Sequence, residues 1–460
     1  MVTEVNSQSV RPFKPQEGNV PAAERDRHKS LMLRAWIFSG LSFMALPGTL
    51  LGFSNLMAIS ANRGMGPLPA AWMQGHGHAQ VFGWIGSFIL GIGFYSQPAK
   101  GQSAFRLQLA CFVAWTLGVA LRWSTSIYGW HWRLLLPLSA GMELVAWLVF
   151  YKGASGHKRP QTTQPGAAKA KMPVWMVSVL VSTVGFFATL AFNFVECVYV
   201  AVRGAEPAFP HGLDQRYLVL MGWGLLVPVV WGFSARWLPS FLGIDQPNER
   251  LMRLALALDI LGILSGLAGW SALATILLAS GAVTIGWALQ LTRRPHSPAK
   301  TLGIHPSFPW FIRMAYGWLV IAGLMSIWAA EADWHGGIWG ASRHALTVGF
   351  AATMVFSIGP RILPHFGEVQ ALFSKRLMFL SLLLLQTGCT LRVLSEPLAY
   401  EGLASLAWKV LPVSGVLELS AVLLFATNLS LTFLLGKSFL ANSESNHMRD
   451  TLQPRRIHVL

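Results

Sequence analysis

The chain alternates between long apolar runs and short polar connections for most of its length. Twelve of the runs are long enough to cross a bilayer as helices, since one crossing needs about 20 residues. We place them at residues 33–58, 76–95, 105–123, 132–150, 173–201, 217–234, 251–269, 271–291, 308–329, 338–359, 376–394 and 409–436. Because a backbone in lipid must satisfy its own hydrogen bonds, this pattern predicts an all-α polytopic membrane protein with twelve transmembrane helices.

The connections between the runs predict the orientation of the chain. If the N-terminus is cytoplasmic, most of the 35 lysines and arginines fall in cytoplasmic connections, as the positive-inside rule requires. The sequence therefore predicts a polar cytoplasmic tail over 1–31, a transmembrane domain over 32–436 and a polar cytoplasmic tail over 437–460. The first tail has no apolar segment of the signal-peptide kind, so no cleaved leader is expected.

The composition fits a membrane protein and argues against a nucleic-acid partner. Hydrophobic residues make up 53% of the chain and charged residues only 12%, whereas soluble domains have about 25% charged residues. The net charge is +16, but the basic residues are spread over short connections and do not form one basic face. We therefore expect the chain to contact membrane lipids and not nucleic acid.

Two histidines lie near the outer ends of predicted helices. His78 on the second helix and His344 on the tenth are each about one turn inside the membrane from the same face. An ionisable group at such a depth indicates a function, and two imidazoles at equal depth would suit the axial positions of one haem iron. We predict that His78 and His344 bind haem; the alternative is that each bonds a neighbouring helix.

His76 precedes His78 by two residues, so on a regular helix the two side chains point about 200° apart. We assign His78 to the iron and His76 to a pocket outside the membrane. Three imidazoles in such a pocket would suit copper. Loop histidines have no fixed spacing, so this copper site is a separate hypothesis. The residues that would join His76 there are drawn from the alternatives His131, His211 or His335.

Short segments of the chain resemble one another. Residues 78–93, "HAQVFGWIGSFILGIG", align with 344–359, "HALTVGFAATMVFSIG", and "RWLPSF" at 236–241 resembles "RILPHF" at 361–366. These segments belong to predicted helices 2, 6 and 10, which predicts three four-helix units with pseudo-threefold symmetry. Val219 occupies the histidine position of helix 6, so the expected site has two histidines.

Further polar residues complete the candidate site. Arg343 and Arg216 lie on the same side as the histidine pair and would suit haem propionates. Four carboxyl groups lie in apolar surroundings, where each either relays protons or bonds a neighbouring helix in its protonated form. These four are Glu143, Glu196, Asp259 and Glu418.

Three segments together resemble the NnrS family: "WMQGHGHAQVFGWIGSFILGIG", "VVWGFSARWLPSF" and "SRHALTVGFAATMVFSIGPRILPHFGE". The similarity covers about residues 33–436. NnrS-like proteins are twelve-helix bacterial inner-membrane proteins that contain haem and copper and are associated with nitric oxide and denitrification. The resemblance implies haem b, and also copper, with nitric oxide or a related small molecule as partner and an unknown electron donor. It maps the family's metal-site histidines onto His76, His78, His344 and His365.

Two other functions stay open. The catalytic subunit of haem–copper oxidases and nitric oxide reductases also has twelve helices, but its copper needs a histidine on helix 6 and a His-His pair on helix 7. This chain has Val219 in the first position and no His-His pair. A twelve-helix transporter is the third possibility, although "SQPAKGQSAFR" after helix 2 lacks the signature of the major facilitator class. Redox activity on nitric oxide is left open.

Overall fold

The computed structural model describes residues 22–66, 68–97, 101–155, 172–367, 369 and 371–436, and every long element within them is a helix. The twelve long helices are α1 (Arg27–Asn62), α2 (Ala70–Ser96), α3 (Ala104–Tyr128), α4 (Trp132–Ala154), α5 (Val174–Arg203), α6 (His211–Leu242), α7 (Glu249–Leu267), α8 (Ser271–Ala288), α9 (Phe308–Ala332), α10 (Gly337–Phe366), α11 (Lys375–Tyr400) and α12 (Ala407–Leu435). All but α7 are long and apolar enough to cross a membrane. The polytopic membrane fold is therefore confirmed.

The helix α7 is the exception because it is more polar than the others. It carries Glu249, Arg250 and Arg253 in its first turns and Asp259 near its middle. Charges are costly in hydrocarbon, so composition alone does not mark α7 as a crossing helix. The twelfth crossing therefore stays a prediction. The tail 437–460, most of the tail 1–31 and most of the connection 151–172 lie outside the described residues.

Several helices extend beyond the apolar runs that predicted them. The α2 helix begins at Ala70, directly after the extended residue Pro69, and α6 begins at His211, directly after Pro210. The sequence prediction placed both starts six residues later; the first turns of α6 are polar, but α2 begins with the apolar residues 70–73. One consequence is that His76 lies well inside a helix.

Three π-helical segments interrupt α2, α6 and α10 at corresponding places. They span Ala79–Gly86, Leu220–Leu226 and Ala345–Ala352, and a fourth, Met44–Leu50, interrupts α1. The first three begin at the residue after His78, Val219 and His344, the three positions that the sequence repeat aligned. π-Segments widen a helix and are frequent at functional sites.

The same three helices form the middle of the bundle. In their most apolar segments, 67% of the positions of α2, 72% of α6 and 67% of α10 are buried. The other eight apolar helices have only 22–50% of such positions buried. In a chain that crosses a membrane, the less buried helices face lipid, and the buried ones can carry polar groups that face one another.

Candidate functional site

A cavity of about 300 Å³ lies among α1, α2, α6, α10, α11 and α12. Its volume is at the lower end of the range of ligand pockets, about 300–1,000 Å³. Its lining includes several ionisable side chains: His76, His344, Arg122, Arg343, Arg392 and Glu418. Because these groups converge from five helices on one space, we take the cavity as the candidate site.

His76 of α2 is held by the backbone of α1. Its Nδ1 lies 2.8 Å from the carbonyl oxygen of Gly48, and since a carbonyl oxygen can only accept, Nδ1 carries the proton. Gly52, one turn further along α1, makes room for the ring, because a Cβ there would lie 2.7 Å from Nδ1. Nε2 is therefore left with a free lone pair in a residue that lines the cavity.

His344 of α10 has the same arrangement. Its Nδ1 lies 3.0 Å from the carbonyl oxygen of Gly340 and 3.7 Å from a carboxylate oxygen of Glu396, so Nδ1 again carries the proton. The side chain is 25% exposed, toward the cavity. A metal-binding histidine in proteins is held in this way, with one N–H on a carbonyl or carboxylate and the other nitrogen free.

His78 of α2 pairs with a carboxyl group of another helix. Its Nε2 lies 2.8 Å from Oε1 of Glu143 on α4, and both side chains are buried. The ring stacks on Phe82, with 4.7 Å between centroids, and Nδ1 is buried with no partner in the protein. The two neighbouring histidines do diverge as expected. The carboxyl group of Glu143 engages Nε2 of His78, which also lines the cavity, whereas His76 leaves its Nε2 free in the cavity that His344 lines as well.

The other predicted metal ligands lie apart from this pair. His131, His211, His335 and His365 are all exposed, and none of them lines the cavity. His335 lies 3.2 Å from a carboxylate oxygen of Glu401. Within the described residues, no group of three His, Cys, Asp or Glu side chains is placed to hold a metal ion. Copper therefore stays a prediction from the resemblance.

The two arginines that were predicted to pair with haem propionates lie in different surroundings. Arg343 lines the cavity, donates a hydrogen bond to the side chain of Gln215 and lies over the ring of Trp339. Arg216 is exposed and does not line the cavity. Of the two, only Arg343 is placed to meet a ligand there.

Two further cavity arginines, Arg122 of α3 and Arg392 of α11, were missed by the sequence reasoning. Both are buried, at 2% and 5% exposure. A sequence signal was available, because "GVALRWSTS" at 118–126 matches "GCTLRVLSE" at 388–396.

The match extends to the helix contacts. A Cβ on Gly118 would lie 2.9 Å from Cγ of Glu143 on α4 and 3.0 Å from the carbonyl oxygen one turn before that glutamate. A Cβ on Gly388 would lie 2.7 Å from Cγ of Glu418 on α12 and 3.0 Å from the corresponding carbonyl oxygen. The two contacts therefore place an arginine, a glutamate and a histidine in equivalent positions.

We call these groups the N-terminal polar cluster (His78, Arg122, Ser126 and Glu143) and the C-terminal polar cluster (His344, Arg392, Glu396 and Glu418). A third contact of the same kind joins α7 to α8. A Cβ on Gly262 would lie 2.7 Å from Cγ of Leu278 and 3.2 Å from the carbonyl oxygen of Ala274. Here leucine stands in the glutamate position and Gly266 in the arginine position, with Val219 beside it. The middle copy is thus apolar.

The four predicted carboxyl groups have different surroundings. Glu143 binds His78, as described, and Glu418 lines the cavity with one oxygen that has no partner in the protein. Asp259 is fully buried with neither oxygen partnered, and Glu196 is buried with one oxygen unpartnered. Only Glu143 and Glu418 belong to the clusters around the cavity.

Comparison with known proteins covers the last third of the bundle. A family model described as a domain of unknown function (DUF8744) matches residues 308–433. This stretch comprises α9, α10, α11 and nearly all of α12, and it includes the whole C-terminal polar cluster. No curated protein matches the chain.

Proposed function

We propose that the chain is a haem b protein of the bacterial inner membrane that acts in the response to nitric oxide, with His76 and His344 as the residues that would hold the haem. The observation that carries the proposal is the state of these two imidazoles. Each donates Nδ1–H to a backbone carbonyl and leaves Nε2 free in a residue that lines the same cavity. Two imidazoles in this state are side chains that would hold a haem iron in the cavity.

The residues around the pair fit this group. The carbonyl groups of Gly48 and Gly340 would hold the two rings in orientation, and Arg343 would pair with a propionate. When bound, the haem iron would supply one-electron chemistry or a binding position for nitric oxide. The nitric oxide part of the proposal rests on the resemblance of the α2, α6 and α10 segments to the NnrS family.

We propose further that twelve helices cross the membrane in three four-helix units, α1–α4, α5–α8 and α9–α12, with both termini cytoplasmic. This is supported by three equivalent glycine contacts, by three π-segments in the same register and by the burial of α2, α6 and α10. A family model that matches α9–α12 also supports a four-helix unit. In this arrangement α7 would cross with Asp259 turned inward.

A haem–copper oxidase function is less well supported. Val219 begins the π-segment of α6 in the register of His78 and His344, and its aliphatic side chain cannot bind copper. A transporter is the second candidate, because the cavity lies between the proposed units and is lined by both arginines and carboxyl groups. Binding sites of secondary transporters are often built at such repeat interfaces.

Absorption spectra of the purified protein test the proposal. The wild-type protein should show the sharp reduced α and β bands of a bis-imidazole haem b, with one haem per chain by pyridine haemochrome. His76→Ala and His344→Ala should each lose these bands. The exposed variant His131→Ala is the matched control and should keep them.

His78→Ala separates this proposal from the pairing predicted from the sequence. Because His78 binds Glu143, its variant should lose stability but keep the bis-imidazole bands in the folded fraction. If His78→Ala and His344→Ala abolish the bands while His76→Ala keeps them, the sequence-based pair is correct. A haem-free wild-type protein that accumulates a solute in vesicles would favour the transporter.

A further inference from the structure

The C-terminal polar cluster neutralises its arginine internally. Nε of Arg392 lies 3.0 Å, and Nη2 3.2 Å, from the two carboxylate oxygens of Glu396, one turn later on α11. Both side chains are only 6% exposed. A buried guanidinium needs such a partner, since an unpaired charge in a medium of low polarity costs several kcal/mol. The pair is bidentate, the geometry in which arginine holds a carboxylate most firmly.

The N-terminal polar cluster lacks this carboxylate. Arg122 is 2% exposed, but the residue one turn later is Ser126, whose hydroxyl donates to the carbonyl oxygen of Arg122. Nη1 of Arg122 reaches only the weak acceptor Sγ of Cys197, at 3.3 Å, and Nε has no partner in the protein. The Nε–Nη2 edge that Arg392 uses for Glu396 is therefore unused in Arg122.

Neighbouring carboxyl groups do not replace the missing one. Within the described residues, none of Glu143, Glu196 and Asp214 comes within 4.0 Å of the Arg122 guanidinium, the limit of an ion pair. Glu143 is engaged by His78. Asp214 lines the same cavity as Arg122 and Arg343, so one carboxyl group shares the cavity wall with two guanidinium groups.

We propose that Arg122 binds a carboxylate, or an oxyanion of similar shape, that enters the cavity. Arg122 lines the cavity, and so does Tyr217, whose buried hydroxyl also has no partner in the protein. Phe209 contacts both of them, with the guanidinium 4.6 Å from its ring centroid and the Tyr217 ring at 5.5 Å. A ligand oxygen there would meet one charged and one neutral donor.

The carboxylate has two possible sources. If the proposed haem function is correct, a haem propionate supplies it, and in that case this inference rests on the proposed function. If the protein holds no haem, a free small anion supplies it. The binding chemistry at Arg122 is the same, so the experiment needs one arm for each source.

The first arm measures haem retention by Arg122→Gln, which removes the charge and keeps much of the side-chain volume. Loss of a charge-assisted contact should weaken haem binding about tenfold or more. The control is Arg133→Gln, an exposed arginine that donates to the backbone carbonyls of Ala201 and Gly204 and lies over the ring of Trp132; it should retain haem like the wild type. The second arm titrates the same proteins with sodium formate and follows the midpoint of thermal unfolding.

A propionate source predicts weaker haem binding by Arg122→Gln and no formate effect on the haem-loaded protein. A free-anion source predicts that formate raises the unfolding midpoint of the wild type and of Arg133→Gln but not of Arg122→Gln. The proposal is overturned if Arg122→Gln matches the wild type in both arms. A wild-type protein without haem refutes the proposed function alone, because the formate arm still decides on Arg122.

Two reciprocal variants guard against simple misfolding of Arg122→Gln. Ser126→Glu supplies the internal carboxylate of the C-terminal cluster and should abolish the effect that the wild type shows. Glu396→Ser copies the N-terminal cluster onto α11, frees Arg392 and should add a second formate-dependent rise in the midpoint. If Glu396→Ser folds and gains no response to formate, the argument from an unpaired cavity arginine fails.

Discussion

The N-terminal and C-terminal polar clusters share one backbone arrangement but differ in what their side chains do. In the N-terminal cluster His78 is closed onto Glu143 and Arg122 has no carboxylate. In the C-terminal cluster His344 faces the cavity, and Arg392 is neutralised by Glu396. The two clusters differ in the residue one turn after the arginine, which is serine in the N-terminal cluster and glutamate in the C-terminal cluster. This residue decides whether the arginine has a carboxylate partner.

The middle copy shows what the shared arrangement needs. Gly262 makes the same close contact with α8, although Leu278 and Gly266 replace the glutamate and the arginine. Apolar residues are therefore sufficient to join such helices. Buried ionic groups add little to stability when both partners are compared with well-packed apolar ones. We infer that the two polar clusters serve the cavity and not the assembly of the bundle.

The largest expected effect comes from breaking the His78–Glu143 pair. His78→Val leaves Glu143 as an unpaired buried carboxyl and should cost about 3–5 kcal/mol of unfolding free energy. Glu143→Leu leaves an unpaired imidazole N–H and should cost about 1–3 kcal/mol. The double variant copies Val219 and Leu278 of the middle copy and should recover to within about 1 kcal/mol of the wild type.

Unfolding of the purified protein in mixed micelles measures all three variants, and the double-mutant cycle isolates the interaction of the pair. The His131→Ala protein controls for losing an exposed histidine. If the double variant loses as much as the two single variants together, then the apolar middle copy is not equivalent to the N-terminal cluster.

A smaller effect should distinguish the two glycine contacts. Gly118→Ala and Gly388→Ala each push a methyl group against a glutamate Cγ and a backbone oxygen, and overpacking of this kind costs about 1–3 kcal/mol. Glu143 is held by His78, whereas one oxygen of Glu418 has no partner in the protein and its side chain can shift. We therefore expect Gly118→Ala to lower the unfolding midpoint more than Gly388→Ala. Equal decreases in the two unfolding midpoints would mean that the contact with the backbone oxygen alone determines the loss of stability.

The sequence predicted the membrane fold well because the apolar runs are long and the connections between them are polar. It also aligned His78, Val219 and His344 correctly enough that all three precede a π-segment. These features are local, so hydrophobicity and short repeats reveal them. The helix start at His211 was not predicted, because its polar first turns resemble a connection, and the start at Ala70 was missed although its first turn is apolar.

The choice between His76 and His78 could not be made from the sequence. It depends on Glu143, which lies 65 residues after His78, and on the carbonyl oxygen of Gly48, which no residue pattern marks. Arg122 and Arg392 could have been identified from the sequence, since the similar segments "GVALR" and "GCTLR" contain them. Their different pairing depends on the residue one turn later, and it becomes meaningful only once the cavity is known.

The prediction with the smallest expected effect tests why an arginine of this protein needs a carboxylate partner. The cause is either the burial of the arginine or the one-turn spacing between the two residues. Glu249 and Arg253 of α7 are also one turn apart, at 3.4 Å, but their side chains are 59% and 51% exposed. Solvent screens such a pair, so Glu249→Gln should cost only about 0.3–0.5 kcal/mol in the same unfolding assay. A loss well above 1 kcal/mol would show that arginines of this protein need a carboxylate even in contact with solvent. The lack of a partner at Arg122 would then no longer follow from burial, and the case for an anion in the cavity would lose its physical basis.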